Sequence, residues 1–343
     1  MRIASFLPAG TTICYELGLG DKVSCVTFEC QFPPAAKDKP KVIRCIFNSD
    51  DLTSAEIENA VNTNLAASVP LYEIDESLLE DVDVVLIQDL CEVCAIGPPM
   101  VLAALDKLKV QPRVLYLTAR SLDGLYNDIM TVATGCDIEG RGVAMVTSMK
   151  ARVDRVERAL VDCTPVKTVC VEWLGMQFQL HTNIVVDMFI PNTHTAAAMS
   201  RTSSQRTMLV PIDPIYNAGH WMPDLVHRAG GYDPLAAPES FSVAINWSHV
   251  AEAGAELLVI MPCGFDLART IKDATDTLPP KSGWRDIPAV QNRRVWAFDG
   301  NRLFSGASPA LVDGLEILAS VLHPELYTLE PTLYSTDFAL VDI

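Results

Sequence analysis

The chain has 343 residues, enough for two domains, and 49% of them are hydrophobic, so burial does not limit folding. Its 26 Lys and Arg against 43 Asp and Glu leave a formal charge of −17, which argues against nucleic acid and anionic membrane surfaces as partners, since both require clustered cations. Ten cysteines, in a chain whose start lacks a cationic and apolar leader, point to a cytoplasmic protein with thiols or metal ligands rather than a disulfide framework. No run approaches the roughly 20 apolar residues of a membrane span, so membrane insertion is not expected.

Strand and helix signals alternate from the first residues. Residues 3–6 read as a strand. Pro8-Ala9-Gly10-Thr11-Thr12 then turns into a short helix that stops at Gly18 and Gly20. The next strand covers residues 23–27, and Phe28-Glu29-Cys30 follows it. Thr53-Ser54-Ala55-Glu56 is a capping box that opens a helix with Ile57, Val61 and Leu65 on one face. Val84-Val85-Leu86-Ile87-Gln88 begins a continuous apolar run, the mark of a strand buried on both faces of a parallel sheet. It leads into Cys91-Glu92-Val93-Cys94 and then Pro98-Pro99. Residues 101–108 read as a helix and 114–117 as a strand. Leu122, Leu125, Ile129 and Val132 mark a helix that closes near Gly135.

A long helix is expected over residues 139–162, with Val143, Val146, Val153, Val156 and Leu160 on its apolar face. At about 1.5 Å per residue it reaches roughly 36 Å and makes a stiff tie between two units. The second unit repeats the grammar. Strands are expected at 168–172, 257–261 and 295–298. Helices are expected at 223–229, stopped by Gly230-Gly231, and at 309–322, stopped by Pro324. The tail from Tyr327 has no strong period. Residues 175–212 carry few charges and no sustained period, and read as a mobile insertion. The expected division is a lobe at 1–138, a connecting helix at 139–163, a second lobe at 164–325 and a tail at 326–343.

Ligands in open α/β sheets bind beyond the carboxyl ends of the strands. Cys30, Cys91, Cys94 and Cys263 all stand at or just past such ends, as do Glu172-Trp173 and His220-Trp221. A C-x-x-C pair with two distant thiols can hold zinc or an iron–sulfur cluster. The competing reading is packing, because free Cys is among the most buried residue types. Cys14, Cys25, Cys45, Cys136, Cys163 and Cys170 are read that way. Among the histidines, His181 and His194 fall in the insertion, His227 lies in a helix and His323 at a helix end. His220, beside Trp221 at a helix start, has the better case for a ligand-facing role. Trp173 and Trp221 are either core or an apolar wall for a flat ligand. Cys91 with His220 as nucleophile and base lacks an orienting third group. No phosphate loop is present, since Gly18-Leu19-Gly20 lacks the third glycine and follows a helix.

At these residues the chain resembles the substrate-binding proteins of iron-siderophore and cobalamin ABC importers, in particular a leaderless branch labelled cobalamin-binding. The motifs that carry the resemblance are Ile3-Ala4-Ser5-Phe6-Leu7-Pro8-Ala9-Gly10-Thr11, Leu90-Cys91-Glu92-Val93-Cys94-Ala95 and Glu172-Trp173-Leu174. Gly219-His220-Trp221-Met222-Pro223, Met261-Pro262-Cys263-Gly264, Asp299-Gly300 with Phe304-Ser305, and residues 309–325 complete the set. The resemblance implies an α/β fold of two Rossmann-like lobes with mostly parallel sheets, joined by one long helix, with the ligand clamped in the cleft between them. It implies a non-catalytic binding protein for a small-molecule metal chelate, a cobalamin-like corrinoid or another, with Pro8, Glu172, Trp173, His220 and Trp221 at the ligand. The alternative is a metalloprotein that holds zinc or an iron–sulfur cluster through Cys30, Cys91, Cys94 and Cys263. A thiol enzyme using Cys91 and His220 is the third reading. Three departures stand out. Phe28 occupies a position where the branch usually has histidine. Residues 305–309 are poorer in Arg and Pro than the family's segment. Residues 175–212 split the family's Glu-Trp-Leu and Asp-Pro junction beside the cleft, where they cap the ligand, obstruct it, or reflect a gene-model artefact such as a retained intron. Delivery to an importer is not expected of a chain read as leaderless.

Overall fold

A computed structural model describes residues 1–47, 52, 54–67, 69–88, 98–174, 214–329 and 336–342. The first sheet has six strands: β1 (Ile3–Ser5), β2 (Val23–Thr27), β3 (Lys41–Cys45), β4 (Tyr72–Ile74), β5 (Val84–Gln88) and β6 (Arg113–Leu117). Their spatial order is β4-β3-β2-β1-β5-β6. All neighbours are parallel except β4, which runs antiparallel to β3 at the edge. The Val-Val-Leu-Ile run of β5 is buried throughout because helices cover both faces of a parallel sheet. The chain winds from β1 outward to β2 and β3, then returns to the other side of β1 with β5. That reversal makes the β1/β5 carboxyl ends a topological switch point, where such sheets open a crevice. The helix Pro8–Glu16 starts there, with proline in its first turn.

The second sheet has seven strands: β7 (Val166–Trp173), β8 (Pro214–Asn217), β9 (Gly231–Tyr232), β10 (Ala244–Asn246), β11 (Leu257–Ile260), β12 (Val295–Phe298) and β13 (Phe338–Leu340). The order is β10-β8-β7-β11-β12-β13, with β9 paired to β7. The centre β7, β11 and β12 is parallel, while β8, β10 and β13 run antiparallel at the flanks. The aperiodic tail thus supplies an edge strand. Its Val341 N–H bonds to the Val295 carbonyl at 2.9 Å, and its side chain is buried.

The helices Leu122–Gly135 and Glu139–Ala159 form a tight hairpin, and the second runs about 31 Å between the two sheets in sequence. A side chain at Gly142 would meet the Ala133 Cβ at 2.5 Å and the Met130 sulfur at 3.0 Å, so glycine is needed for the two backbones to approach. The buried face of the long helix is Gly142, Met149, Val153 and Val156. Val143, expected on that face, is exposed, because the close crossing at Gly142 sets the rotation of the helix. On the other side the long helix meets the helix Ala310–Leu322. Arg152 reaches Asp313 at 2.7 Å and Glu316 at 2.7 Å, and Arg155 reaches Glu316 at 2.6 Å. One apolar cluster runs from Ile3 and Val84 of the first sheet through Ile129, Val153, Leu225 and Leu315 to Val259 and Phe298 of the second. The tie is therefore packed on both lobes.

Candidate functional site

The carboxyl ends of the two sheets meet along a seam, and several contacts among the described residues cross it. The Arg120 guanidinium, from the loop after β6, lies over the Phe241 ring of the second lobe at 4.6 Å. Arg302 lies over Phe32 of the first lobe at 5.3 Å. The Arg269 guanidinium donates to the Leu52 carbonyl. Gly306 sits so close to Ala9, one residue past Pro8, that a Cβ on it would lie 3.2 Å from the Ala9 methyl.

His220 is placed on this seam by strained backbone. Its φ of 54° and the 60° of Glu239 lie in the left-handed region that side chains other than glycine avoid. The two strained residues face each other. The Glu239 N–H donates to the His220 carbonyl at 3.0 Å, and the His220 N–H donates to the Ser240 carbonyl at 2.5 Å. Beneath them Gly219 packs against the 240–242 backbone, where any side chain would meet Phe241 and Ser242 main-chain atoms at 2.5 Å. The imidazole stands between the rings of Trp221 and Phe241, each 5.5 Å away. Its Nδ1 is buried and has no hydrogen-bond partner among the described residues. Burial, and then the nearby Arg120 charge, hold its pKa below 6.5, so the ring is neutral at pH 7. A buried, neutral, unpartnered imidazole nitrogen is an uncompensated acceptor, and such atoms are rare unless something binds them.

The other expected residues divide between the seam and the core. Glu172, at the end of β7, accepts a hydrogen bond from Ser242 at 2.7 Å, and Ser242 in turn accepts from the Gly219 N–H at 3.0 Å. It therefore braces the His220 loop. Trp173 is half-buried and packs edge-on against Phe265 at 5.3 Å, and Phe265 carries the Arg269 that crosses the seam at 3.7 Å from its ring. Pro8 is half-buried at the first turn of its helix. Trp221 is different: it is 7% exposed, belongs to the main core, and its Nε1 donates to the Phe304 carbonyl at 3.1 Å. It backs His220 rather than presenting a face of its own.

Cys30 is fully buried, with Thr11 Oγ1 at 3.1 Å and Thr27 Oγ1 at 3.9 Å, and burial pushes its thiol pKa up. A sealed thiol with hydroxyl partners is packed core. Cys263 is half-buried in the turn after β11, and its N–H bonds to the Glu172 carbonyl at 3.1 Å. Cys91 and Cys94 lie outside the described residues, as do His181, His194 and the expected insertion. Among the described residues, no three His, Cys, Asp or Glu side chains are gathered as a metal site. The cysteines read as core fit that role at Cys14, Cys25, Cys136 and Cys170, while Cys45 and Cys163 are half-buried. Arg120, Phe241, Arg269, Arg302 and Phe32 were not anticipated from the sequence. Arg120 stands just past the end of β6, so the strand-end criterion that selected the cysteines also covers it. The loop around Phe241 carries no comparable signal.

No protein-family model matches the chain, and no curated protein matches it in sequence. Solved structures do match. A periplasmic heme-binding protein from Pseudomonas aeruginosa superposes with a TM-score of 0.63 at 19% identity, covering 98% of this chain and 97% of that one. The periplasmic heme-binding protein RhuT from Roseiflexus sp. RS-1, in apo form, gives 0.61 at 19% identity, with 94% and 98% covered. The periplasmic vitamin B12-binding protein BtuF of Vibrio cholerae gives 0.58 at 17%, with 94% and 96% covered. These comparisons overturn the cytoplasmic placement expected above, for the proteins of like structure are periplasmic. Among the described residues no helix is long and apolar enough to cross a membrane. The chain has the two-lobed fold of the substrate-binding proteins of heme, cobalamin and iron-siderophore importers, the family its strand-end motifs resemble.

Proposed function

We propose that this protein is a non-catalytic binding protein that holds a metal chelate, a cobalamin-like corrinoid or an iron chelate, between lobes formed by residues 1–138 and 164–325. The observation that supports it most directly is the buried, neutral His220 ring, which stands between the Trp221 and Phe241 rings and whose Nδ1 has no hydrogen-bond partner among the described residues. A neutral imidazole is a good donor to the metal of a chelate, and the flanking rings suit a flat ligand. Pro8, Trp173 and His220 would face the ligand, Glu172 would hold the His220 loop, and Trp221 would support the imidazole from behind. The proteins of like structure whose names state a ligand bind heme or vitamin B12, which favours a chelate as cargo over a resident metal. A periplasmic-type carrier fits this reading.

The test is a titration of purified protein with aquocobalamin and with iron protoporphyrin IX, followed by visible absorbance and tryptophan fluorescence, beside elemental analysis of protein as isolated. The expected result is saturable one-to-one binding of at least one chelate, with its metal-centred band shifted by an imidazole and the shift lost in His220→Ala. Failure of both chelates to bind would sink the proposal.

A further inference from the structure

At the end of the second lobe opposite the seam, the amino ends of the parallel strands β7, β11 and β12 border a second concavity. Thr164 and Pro165 lead into β7, Glu256 precedes β11, and Arg293-Arg294 precedes β12, and all of them line it. Its volume is about 630 Å³, within the range of small-molecule sites. The last turn of the helix Ala310–Leu322 and the residues that follow it supply the rest of the lining.

Where the sheet supplies the wall, it is apolar. Trp296 of β12 is half-buried and stands opposite Leu340 of β13 in register, so the two side chains share a face. Phe338 packs on the indole at 5.6 Å and holds it in place. Leu340 and Leu326 remain 45% and 47% exposed, an apolar surface inside a concavity that suits an apolar ligand body.

The polar lining divides into committed and uncommitted groups. The Arg294 guanidinium donates to the Val321 and Leu322 carbonyls at 3.1 and 3.0 Å, and so caps a helix end that would otherwise repel an anion. His323 Nε2 donates to the Gly230 carbonyl at 2.9 Å. The Arg293 guanidinium, by contrast, makes no hydrogen bond or ion pair with any described residue. Its backbone would also favour another residue. Arg293 closes the short helix Pro288–Gln291 with a φ of 53°, the left-handed position that glycine or asparagine normally takes. Arginine there carries strain with no internal contact to offset it. Glu256 and Glu325 are exposed carboxylates on the same lining. Glu256 accepts the Lys167 N–H at 2.9 Å, and Glu325 lies 3.6 Å from His323 Nδ1. Two arginines and two glutamates cancel in formal charge, so a molecule carrying both signs fits better than a simple anion or cation.

We propose that this concavity is a second ligand site, for a small zwitterion with an apolar body, the chemistry of a free amino acid with an aromatic or branched side chain. Its carboxylate pairs with Arg293, its ammonium faces the Glu256 and Glu325 carboxylates, and its side chain covers Trp296 and Leu340. The site belongs to one lobe and lies away from the seam, so it does not depend on the chelate reading.

The test titrates the purified protein with L-phenylalanine, L-phenylalaninamide and N-acetyl-L-phenylalanine, followed by calorimetry and tryptophan fluorescence, in the wild type, Arg293→Gly and Trp296→Leu. The wild type is expected to bind phenylalanine saturably, in the millimolar range or tighter, and each blocked derivative about fivefold or more weakly, the upper size of an exposed charge pair. Arg293→Gly is expected to bind phenylalanine no better than the wild type binds the amide, with its own affinity for the amide unchanged. Its melting temperature should equal or exceed that of the wild type, because glycine relieves the left-handed φ, so a lost affinity would not report unfolding. Trp296→Leu should abolish the fluorescence response. No saturable phenylalanine binding by the wild type, equal binding of either blocked derivative, an affinity unaltered in Arg293→Gly, or a fluorescence response that survives in Trp296→Leu would each overturn the second site.

Discussion

Single residues at the seam hold their unusual states for reasons that can be separated by substitution. At His220 the side chain and the backbone make different demands. The left-handed φ costs any residue but glycine about 1–2 kcal/mol, so His220→Gly should melt at a higher temperature than His220→Ala even though both lose the imidazole. Equal melting temperatures would show that the loop relaxes out of that conformation. Protonation gives a second handle. Because burial and Arg120 lower the His220 pKa below 6.5, the unfolded chain takes up a proton first as pH falls. The stability His220 contributes is complete above pH 6.5 and is lost as pH drops toward the folded value. Chelate affinity is expected to be flat above pH 6.5 and to fall below it, a dependence that should vanish in His220→Ala. Glu29 shows the opposite sign. Burial raises its carboxyl to about 7 from 4.5, so ionisation opposes folding and stability falls as pH rises through that window. Glu29→Gln is therefore expected to raise the melting temperature at pH 8 and to change it little at pH 4, as read by thermal denaturation.

Among the elements, the long helix Glu139–Ala159 bears the most contacts that a single change could break. Its first turns are pinned to the helix Leu122–Gly135 through Gly142, and its middle is pinned to the helix Ala310–Leu322 through Glu316. Burial pushes the Glu316 carboxyl up, but hydrogen bonds from Arg152 and Arg155 outweigh it and leave the pKa below its ordinary 4.5. The pair thus contributes stability above pH 4.5 that is lost as pH falls through the folded value. Glu316→Ala removes charge-assisted hydrogen bonds to Arg152 and Arg155, while Arg152 keeps Asp313 and Arg155 is largely exposed, so it should cost about 1–3 kcal/mol in a denaturant titration. Gly142→Val forces the two helices apart and should cost about 1–3 kcal/mol by the same measurement. A loss below 0.5 kcal/mol for either would mean the helix has room to shift. The alternation of strands and helices and the start of this tie were legible from apolar spacing, while its helix ends at Ala159, three residues before the expected 162. Strands β3, β4, β8, β10 and β13 were not legible. β4, β8, β10 and β13 are three or four residues long and lie in antiparallel flanks, so their apolar pattern is too brief to stand out, while β3 carries Lys41 and Arg44 among its residues, which breaks the apolar run.

For the whole molecule the question is what keeps the lobes together. The long helix packs on both, yet the seam itself is crossed by few contacts, and two of them are cation–π pairs: Arg120 on Phe241 and Arg302 on Phe32. Each is worth about 0.5–1 kcal/mol, so losing both should shift a closed-to-open ratio by roughly five- to thirtyfold. The double variant Phe32→Ala/Phe241→Ala is expected to show a larger radius of gyration than the wild type in small-angle scattering of the unliganded protein. An unchanged radius would assign closure to the helical tie alone.

Composition, strand-end positions and the period of the apolar residues were sufficient to establish two α/β lobes, their mostly parallel sheets and the helix between them. These are local or one-dimensional properties: a buried parallel strand must be apolar throughout, and a tie must be helical along its length. They also brought Glu172, Trp173 and His220 to the correct ends of their elements. The sequence alone did not separate Trp221 and Cys30, which the core absorbs, from His220, whose Nδ1 has no partner among the described residues, because burial depends on neighbours brought in from other elements, such as Phe304 over Trp221 and Thr11 beside Cys30. Nor did it pair Arg120 with Phe241, 121 positions apart on different lobes. Which side chains meet across a cleft is decided by how two sheets are set against each other, and that setting is made by packing along the long helix rather than by any stretch of chain near the site.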